Sequence, residues 1–138
     1  MTDLPRVSRF AVDAIVRWLM ERESMLRPPE ATAAFLVLCV KLHQEGSPFP
    51  PRADAARHLG CSVALIDMAL SQRLATGDIT IELQTTPGMV KRRLSTIRHR
   101  MVRPSEEIIK LVVEEEAKEA RGRRRKTKNN NSAPVDAG

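Results

Sequence analysis

The chain has 138 residues, of which 42% are hydrophobic and only 3% aromatic, and its formal net charge is +6. This length suffices for one domain with an aliphatic core. The scarcity of aromatic residues argues against modules that stack bases on rows of aromatic rings. Two cysteines, Cys39 and Cys61, are too few for a disulfide framework. Because no apolar run could span a bilayer and the first residues do not resemble a signal peptide, we expect a cytoplasmic protein with no membrane partner.

The positive charge is concentrated in two segments of the chain. Residues 91–103 and 121–128 contain twelve of the 23 basic residues and none of the 17 acidic ones. The remaining residues therefore carry a net negative charge. This distribution favours a polyanionic partner, with nucleic acid ahead of a membrane surface, although a basic tail on its own is as often simply solvated.

The first half of the sequence predicts helices. Residues 8–22 have the apolar spacing of an amphipathic helix, with Trp18 near the edge of its apolar face. Pro28-Pro29 interrupts the chain. Residues 30–45 are apolar on nearly every side, which predicts the central helix of the core, and Gly46-Ser47-Pro48 ends it.

Two short helices joined by a tight turn follow. Residues 52–59 form the first helix and end at Gly60, which suits a left-handed C-cap. Ser62 is a good N-cap for the second helix, which covers about residues 63–75. Ala56 is small where the two helices cross, and Ile66 fits the apolar contact between them, as a helix-turn-helix requires.

A β-hairpin with one basic face is predicted next. Ile79, Ile81 and Leu83 alternate with polar residues, which indicates a strand, and Pro87-Gly88 predicts the turn. The alternation returns in residues 95–103. There one set of positions holds Ile97, His99 and Met101, and the other holds Arg98 and Arg100.

The last part of the chain predicts one more helix and a tail. Ser105 caps a helix that continues to about Ala120. We expect this helix to pack on the N-terminal helix of its own chain or of a partner chain. From Gly122 the sequence is basic and then small and polar, which predicts disorder. We therefore divide the chain into an N-terminal helix with a candidate role in dimerisation, a central domain, a C-terminal helix and a disordered basic tail, at residues 1–28, 29–104, 105–121 and 122–138.

This order of elements predicts a mainly α protein with a small β-hairpin wing, an α+β winged helix-turn-helix with extra terminal helices. The sequence of this region resembles the DNA-binding domain of GntR-type transcriptional regulators, and the residues that carry the resemblance are Phe49-Pro50, 53–60, Cys61-Ser62 and Gly77. The resemblance covers about residues 31–103. It implies a winged helix that binds operator DNA, usually as a homodimer. The chain has no room for the large ligand-binding domain that such regulators carry.

The second helix of the motif departs from the family pattern. The family has Arg and Thr near its start, whereas this chain has Val63, Ala64, Leu65 and Asp67, and Asp67 would repel phosphates. None of these four makes the bidentate contact with guanine that arginine makes, so the hairpin would supply most of the affinity for duplex DNA. The candidate DNA-binding residues are Ser62, Val63, Ala64, Leu65, Ser71, Gln72, Arg73, Lys91, Arg92, Arg93, Arg98, Arg100 and Arg103.

Two alternatives remain open beside a DNA-binding regulator of transcription. The apolar second helix favours an adaptor that binds a protein partner, and the basic segments favour a nucleic-acid binder without sequence preference. We expect neither catalysis nor a cofactor, because the sequence contains no glycine-rich phosphate loop, no nucleophile elbow and no obvious catalytic pair of carboxylates. The three histidines and two cysteines do not have the spacing of metal ligands.

Overall fold

The computed structural model describes residues 4–23, 28–90 and 93–137, with side chains except those of 86–99 and 123–137. These residues form five helices and one antiparallel pair of strands. The elements are α1 (Arg9–Arg22), α2 (Pro29–Glu45), α3 (Arg52–Leu59), α4 (Val63–Thr76), β1 (Ile79–Val90), β2 (Arg93–Pro104) and α5 (Glu106–Ala137). The prediction of a mainly α chain with a small hairpin is confirmed.

Helix α2 lies at the centre of the molecule. Every residue from Phe35 to Val40 is buried, so the helix presents apolar side chains in all directions. Such a helix must be covered on every side, and α1, α3, α4, α5 and β2 all contact it. Gly46 ends the helix with a φ of 71°, in the left-handed region that glycine adopts without strain.

Helices α1 and α5 pack against each other in antiparallel orientation. Near the start of α1, the Ser8 hydroxyl donates a hydrogen bond of 2.6 Å to Glu119 Oε2. Near its end, Trp18 Nε1 donates a hydrogen bond of 2.9 Å to Glu107 Oε1. The structure therefore resolves one alternative left open by the sequence, because α5 packs on the N-terminal helix of its own chain.

Helices α3 and α4 are joined by a tight turn. Gly60 has a φ of 70°, and its N–H caps the end of α3. Ser62 Oγ accepts a hydrogen bond of 3.2 Å from the backbone N–H of Leu65, which caps α4. Ala56 and Ile66, which the sequence predicts for the contact between the two helices, are both buried, and the two helices do contact each other. The predicted turn and both helix boundaries beside it are confirmed.

The hairpin is longer than the sequence predicts. The strands pair from Ile79 opposite Pro104 to Val90 opposite Arg93, so Pro87-Gly88 lies within β1 and is not the turn. The connection falls at residues 91–92, outside the described residues. Proline is tolerated in this strand because a two-stranded sheet leaves each strand one free edge, where no N–H is needed for pairing.

The base of the hairpin is built into the core. Ile79 and Val102 are buried, and the backbone N–H of Phe49 donates a hydrogen bond of 2.8 Å to the carbonyl of Arg100. Since alternate residues of a strand share a face, Val102 belongs to the same face as Arg100. Arg100 therefore continues the face that packs on the helices, and its side chain is nevertheless exposed.

Helix α5 continues to Ala137, well past Ala120, where the sequence analysis ends it. Its backbone is helical through the segment from Gly122 that the sequence analysis predicts to be disordered. Arginine and lysine, which follow Gly122, have high helix propensity, whereas a single glycine costs about 1 kcal/mol. The helix begins at Glu106, and the backbone N–H of the preceding Ser105 donates a hydrogen bond of 2.8 Å to the carbonyl of Asp78 at the root of β1.

Candidate nucleic-acid interface

The exposed face of α4 carries several of the residues predicted to contact DNA. Ser62, Ala64 and Ser71 are exposed, and Val63 retains 40% of its accessible surface. Leu65 and Gln72 are half-buried. Asp67 is also half-buried and lies near the middle of this face, so α4 presents a carboxylate and no basic side chain of its own.

Arg73, which the sequence analysis predicts to reach DNA, is instead buried. Its side chain is 2% exposed, and its Nη1 lies 2.9 Å from Asp78 Oδ2 and 2.8 Å from Glu23 Oε2. The reason is helical spacing, because Arg73 is seven residues after the buried Ile66 and shares its face. Arg73 is therefore removed from the candidate interface.

Asp78 connects three elements at the root of the hairpin. Besides the contact with Arg73, it accepts hydrogen bonds of 2.9 Å from Arg22 Nη1 and 2.8 Å from Thr76 Oγ1. The hydrogen bond with Asp78 raises the pKa of Arg22, and the negative charge of Asp78 raises it further. The cluster of Arg22, Arg73, Glu23 and Asp78 contains two positive and two negative side chains. Its contacts join the ends of α1 and α4 to the start of β1.

Arg52 contributes a cation to the exposed face of α4 from a different helix. Its Nη1 lies 2.6 Å from Asp67 Oδ1, and the two side chains are 57% and 43% exposed. Sequence reasoning missed this residue, because no periodicity relates positions on separate helices. The one usable signal was that a helix-turn-helix brings the start of its first helix towards its second helix.

Strand β2 carries four of the other predicted residues, Arg93, Arg98, Arg100 and Arg103. Arg93 and Arg98 pair through the backbone with Val90 and Thr85, and their side chains are outside the description. Arg100 is exposed opposite Leu83. Lys91 and Arg92 lie outside the described residues.

Arg103 stands at the base of the hairpin and is 53% exposed. Its Nη2 lies 3.6 Å from Glu106 Oε1, so part of its charge is compensated by α5. Glu82 is the acidic residue that β1 places against β2, opposite Met101. The sequence of strand β2 contains four arginines and no acidic residue.

Other chemistry is sparse in the part of the chain that the structure describes. No group of three His, Cys, Asp or Glu side chains there could hold a metal ion. Both cysteines are free, and burial raises the pKa of both thiols, most strongly that of the fully buried Cys39. None of the described helices has the length and apolar character needed to cross a membrane.

An open depression of about 360 Å³ lies between the N-terminal segment, α2 and α5. Two of its charged groups pair with each other, since Lys41 Nζ lies 3.1 Å from Glu116 Oε1, and Ser8 Oγ donates a hydrogen bond to Glu119 Oε2. These contacts give it the character of a solvated surface cleft.

Comparison with known proteins identifies no relative of this chain. No family model matches the sequence, and neither the curated proteins nor the solved structures give a match. The function is therefore argued from the arrangement of the chain's own residues.

Proposed function

We propose that this chain is a DNA-binding regulator of transcription that uses a winged helix-turn-helix. One observation carries the proposal: the α3–α4 corner is followed directly by a long antiparallel hairpin whose second strand holds four arginines and no acid. The corner offers a helix to the major groove, and the hairpin offers arginines to the phosphates and minor groove beside it.

The hairpin supplies most of the affinity in this proposal. With Arg73 buried, α4 has no basic side chain on its exposed face, so it lacks the arginine contact that most often specifies guanine. Counting Lys91 and Arg92, the hairpin segment has six basic residues. Six phosphate contacts correspond to a slope of log K against log salt of about −5.

Dimerisation and a cytoplasmic, nucleoid-associated location belong to the same proposal. A single winged helix contacts few base pairs, and symmetric dimers overcome this by binding two half-sites. The resemblance to GntR-type regulators supports a homodimer on the same grounds. A two-fold symmetric DNA site, with half-sites about one helical turn apart, is the corresponding expectation.

The decisive experiment selects duplexes from a random pool with the purified chain at about 0.15 M salt, near physiological ionic strength. An enriched symmetric site supports a dimeric regulator. Retention of DNA without enrichment would instead identify a nucleic-acid binder without sequence preference. Absence of retention would refute DNA binding.

A wing variant tests which residues bind. Replacing Arg92, Arg93, Arg98 and Arg100 by Ala should reduce the salt slope by about 3.6, or 0.9 for each lost phosphate contact. The matched control removes four exposed positive charges from α1 and α5, at Arg9, Arg17, Lys110 and Lys118. If both variants flatten the slope equally, net charge and not the wing determines binding.

An adaptor that binds a protein partner is the second candidate. It is favoured by the exposed apolar side chains of α4, where Val63 is 40% and Leu74 is 39% exposed. An adaptor would bind its partner equally well after the four wing substitutions. It would lose binding when Val63 and Leu74 are replaced by Ser, and those two substitutions should leave the salt slope for DNA unchanged.

A further inference from the structure

The exposed face of α4 lacks a cation of its own. A helix turns by about 100° per residue, which places Val63, Ala64, Asp67 and Ser71 on one side of α4 and the buried Ile66, Ala69 and Arg73 on the other. Asp67 occupies the middle of the exposed side. An uncompensated carboxylate there would repel the phosphates of any DNA that approached this helix.

Arg52 places a guanidinium on that carboxylate. The contact is short, with 2.6 Å between Arg52 Nη1 and Asp67 Oδ1, and both side chains remain about half exposed. A guanidinium has five N–H donors in a planar fork, so a contact through Nη1 does not use its full capacity. The remaining donors of an exposed arginine can bind a second anion while Asp67 holds the first.

We propose that Arg52 binds a phosphate of the DNA backbone and that Asp67 is the positioning residue that holds its guanidinium over the exposed face of α4. This inference rests on the proposed DNA-binding function and adds a contact from α3 to it. Asp67 then has the opposite role to the one that the sequence suggests, because it orients a cation and its own charge is neutralised by that cation. Arginine suits this role better than lysine, since its fork bridges two anions in fixed geometry.

The chain contains a matched control for Arg52 on the same helix. Arg57 is 74% exposed, and its Nη2 lies 3.8 Å from Asp54 Oδ1, so it is also an exposed arginine beside an aspartate. Five residues separate the two arginines, which places Arg57 about 140° away from Arg52 around α3. Because exposed ion pairs contribute little to stability, Arg52→Ala and Arg57→Ala should both fold like the unaltered chain.

The first measurement compares duplex-DNA binding by the full chain and by these two variants over a range of salt concentrations. Loss of one phosphate contact should make Arg52→Ala bind about fivefold more weakly at 0.15 M salt and should reduce the slope by about 0.9. Arg57→Ala should change neither quantity appreciably. Equal effects of the two variants, or no effect of Arg52→Ala, would overturn the role of Arg52.

The positioning role of Asp67 needs a second comparison. Asp67→Asn removes a negative charge, so repulsion alone predicts tighter binding whether or not Arg52 is present. If Asp67 positions Arg52, Asp67→Asn should change the affinity by less than about twofold while Arg52 is present. The reason is that removing the negative charge of Asp67 favours binding, whereas losing the fixed orientation of the Arg52 guanidinium opposes it. In the Arg52→Ala background no orientation remains to be lost, so the substitution should raise the affinity more than it does when Arg52 is present, because the repulsion between Asp67 and phosphate is removed. Equal gains in both backgrounds would refute positioning.

These outcomes separate this inference from the function on which it rests. If the unaltered chain does not bind duplex DNA, the proposed function fails and the phosphate contact of Arg52 fails with it. If the chain binds DNA and only the wing variant weakens binding, the function stands and Arg52 has no part in it. Arg52→Lys should keep the salt slope and recover part of the affinity, whereas a contact that depends on packing alone would respond to Lys as it does to Ala.

Discussion

Replacing Arg73 by Ala tests the largest difference between sequence and structure. The side chain is 2% exposed and contacts Asp78, whose side chain is 6% exposed, and Glu23, which is 36% exposed. Removing one partner of a buried ion pair costs about 3–5 kcal/mol, because the other charge is left without compensation. Asp78 would still keep Arg22 and Thr76 as partners, so we expect a loss of about 3 kcal/mol.

The loss is measurable by urea and by thermal unfolding. For a chain of this length, about 3 kcal/mol corresponds to a fall in Tm of roughly 10 °C. Arg57→Ala provides the comparison, because its exposed contact with Asp54 is worth less than about 1 kcal/mol. Below its unfolding temperature, Arg73→Ala should bind DNA with an unchanged salt slope, since a buried guanidinium contacts no phosphate.

A second variant separates the charge of Arg73 from its packing. Arg73→Met keeps much of the apolar volume and removes the charge, so it should be more stable than Arg73→Ala yet less stable than the unaltered chain. The reasoning would be refuted if Arg73→Ala unfolded at the same urea concentration as the unaltered chain while its salt slope fell by about 0.9. That pair of results would mean that the guanidinium faces DNA, as the sequence alone suggests.

Two further predictions concern the thiols and the turn. Burial raises the pKa of both cysteine thiols, most strongly that of the fully buried Cys39. At pH 8 the half-buried Cys61 should therefore react with a thiol reagent first, and Cys39 should react only as the chain unfolds. Mass spectrometry of each site measures the two rates, and similar rates would contradict the difference in burial. Gly60→Ala should destabilise the chain by about 1 kcal/mol in urea, because its φ of 70° is strained for other residues although nothing lies within 4 Å of the added carbon. Gly122→Ala is the control, since that site is equally open but helical, and it should leave stability unchanged or raise it.

Local signals made the helical part of the fold predictable. Ser62 accepts a hydrogen bond from the first turn of α4, as its residue type predicts, and Ser8 likewise accepts one from the first turn of α1. Gly60 and Gly77 end α3 and α4 with positive φ, as glycine after an apolar periodic segment suggests. These features depend on a few neighbouring residues, so one sequence is sufficient to identify them.

The hairpin length and the extent of α5 depend on information that short patterns do not contain. Pro87-Gly88 has the composition of a turn, yet it pairs with Thr96 and Ser95, because a two-stranded sheet tolerates a proline at its free edge. For the basic residues 123–128, composition indicates a solvated tail whereas propensity favours a helix, and the backbone there is helical. In both cases two local rules compete, and their relative weight is not readable from the residues.

The candidate site shows why charge on a helical face cannot be assigned from that helix alone. Arg73 is the basic residue in the sequence of α4, but it lies on the buried side of the helix and forms ion pairs with Asp78 and Glu23. The exposed face instead receives its cation from Arg52, which lies fifteen positions before Asp67 and meets it only because α3 and α4 form a corner. Periodicity indicates that an arginine seven residues after a buried isoleucine is itself buried, so the loss of Arg73 was accessible to sequence reasoning. The position of Arg52 beside Asp67 depends on the tertiary fold, because the two residues lie on different helices. The charge that this surface presents to DNA is therefore determined by α3 and α4 together.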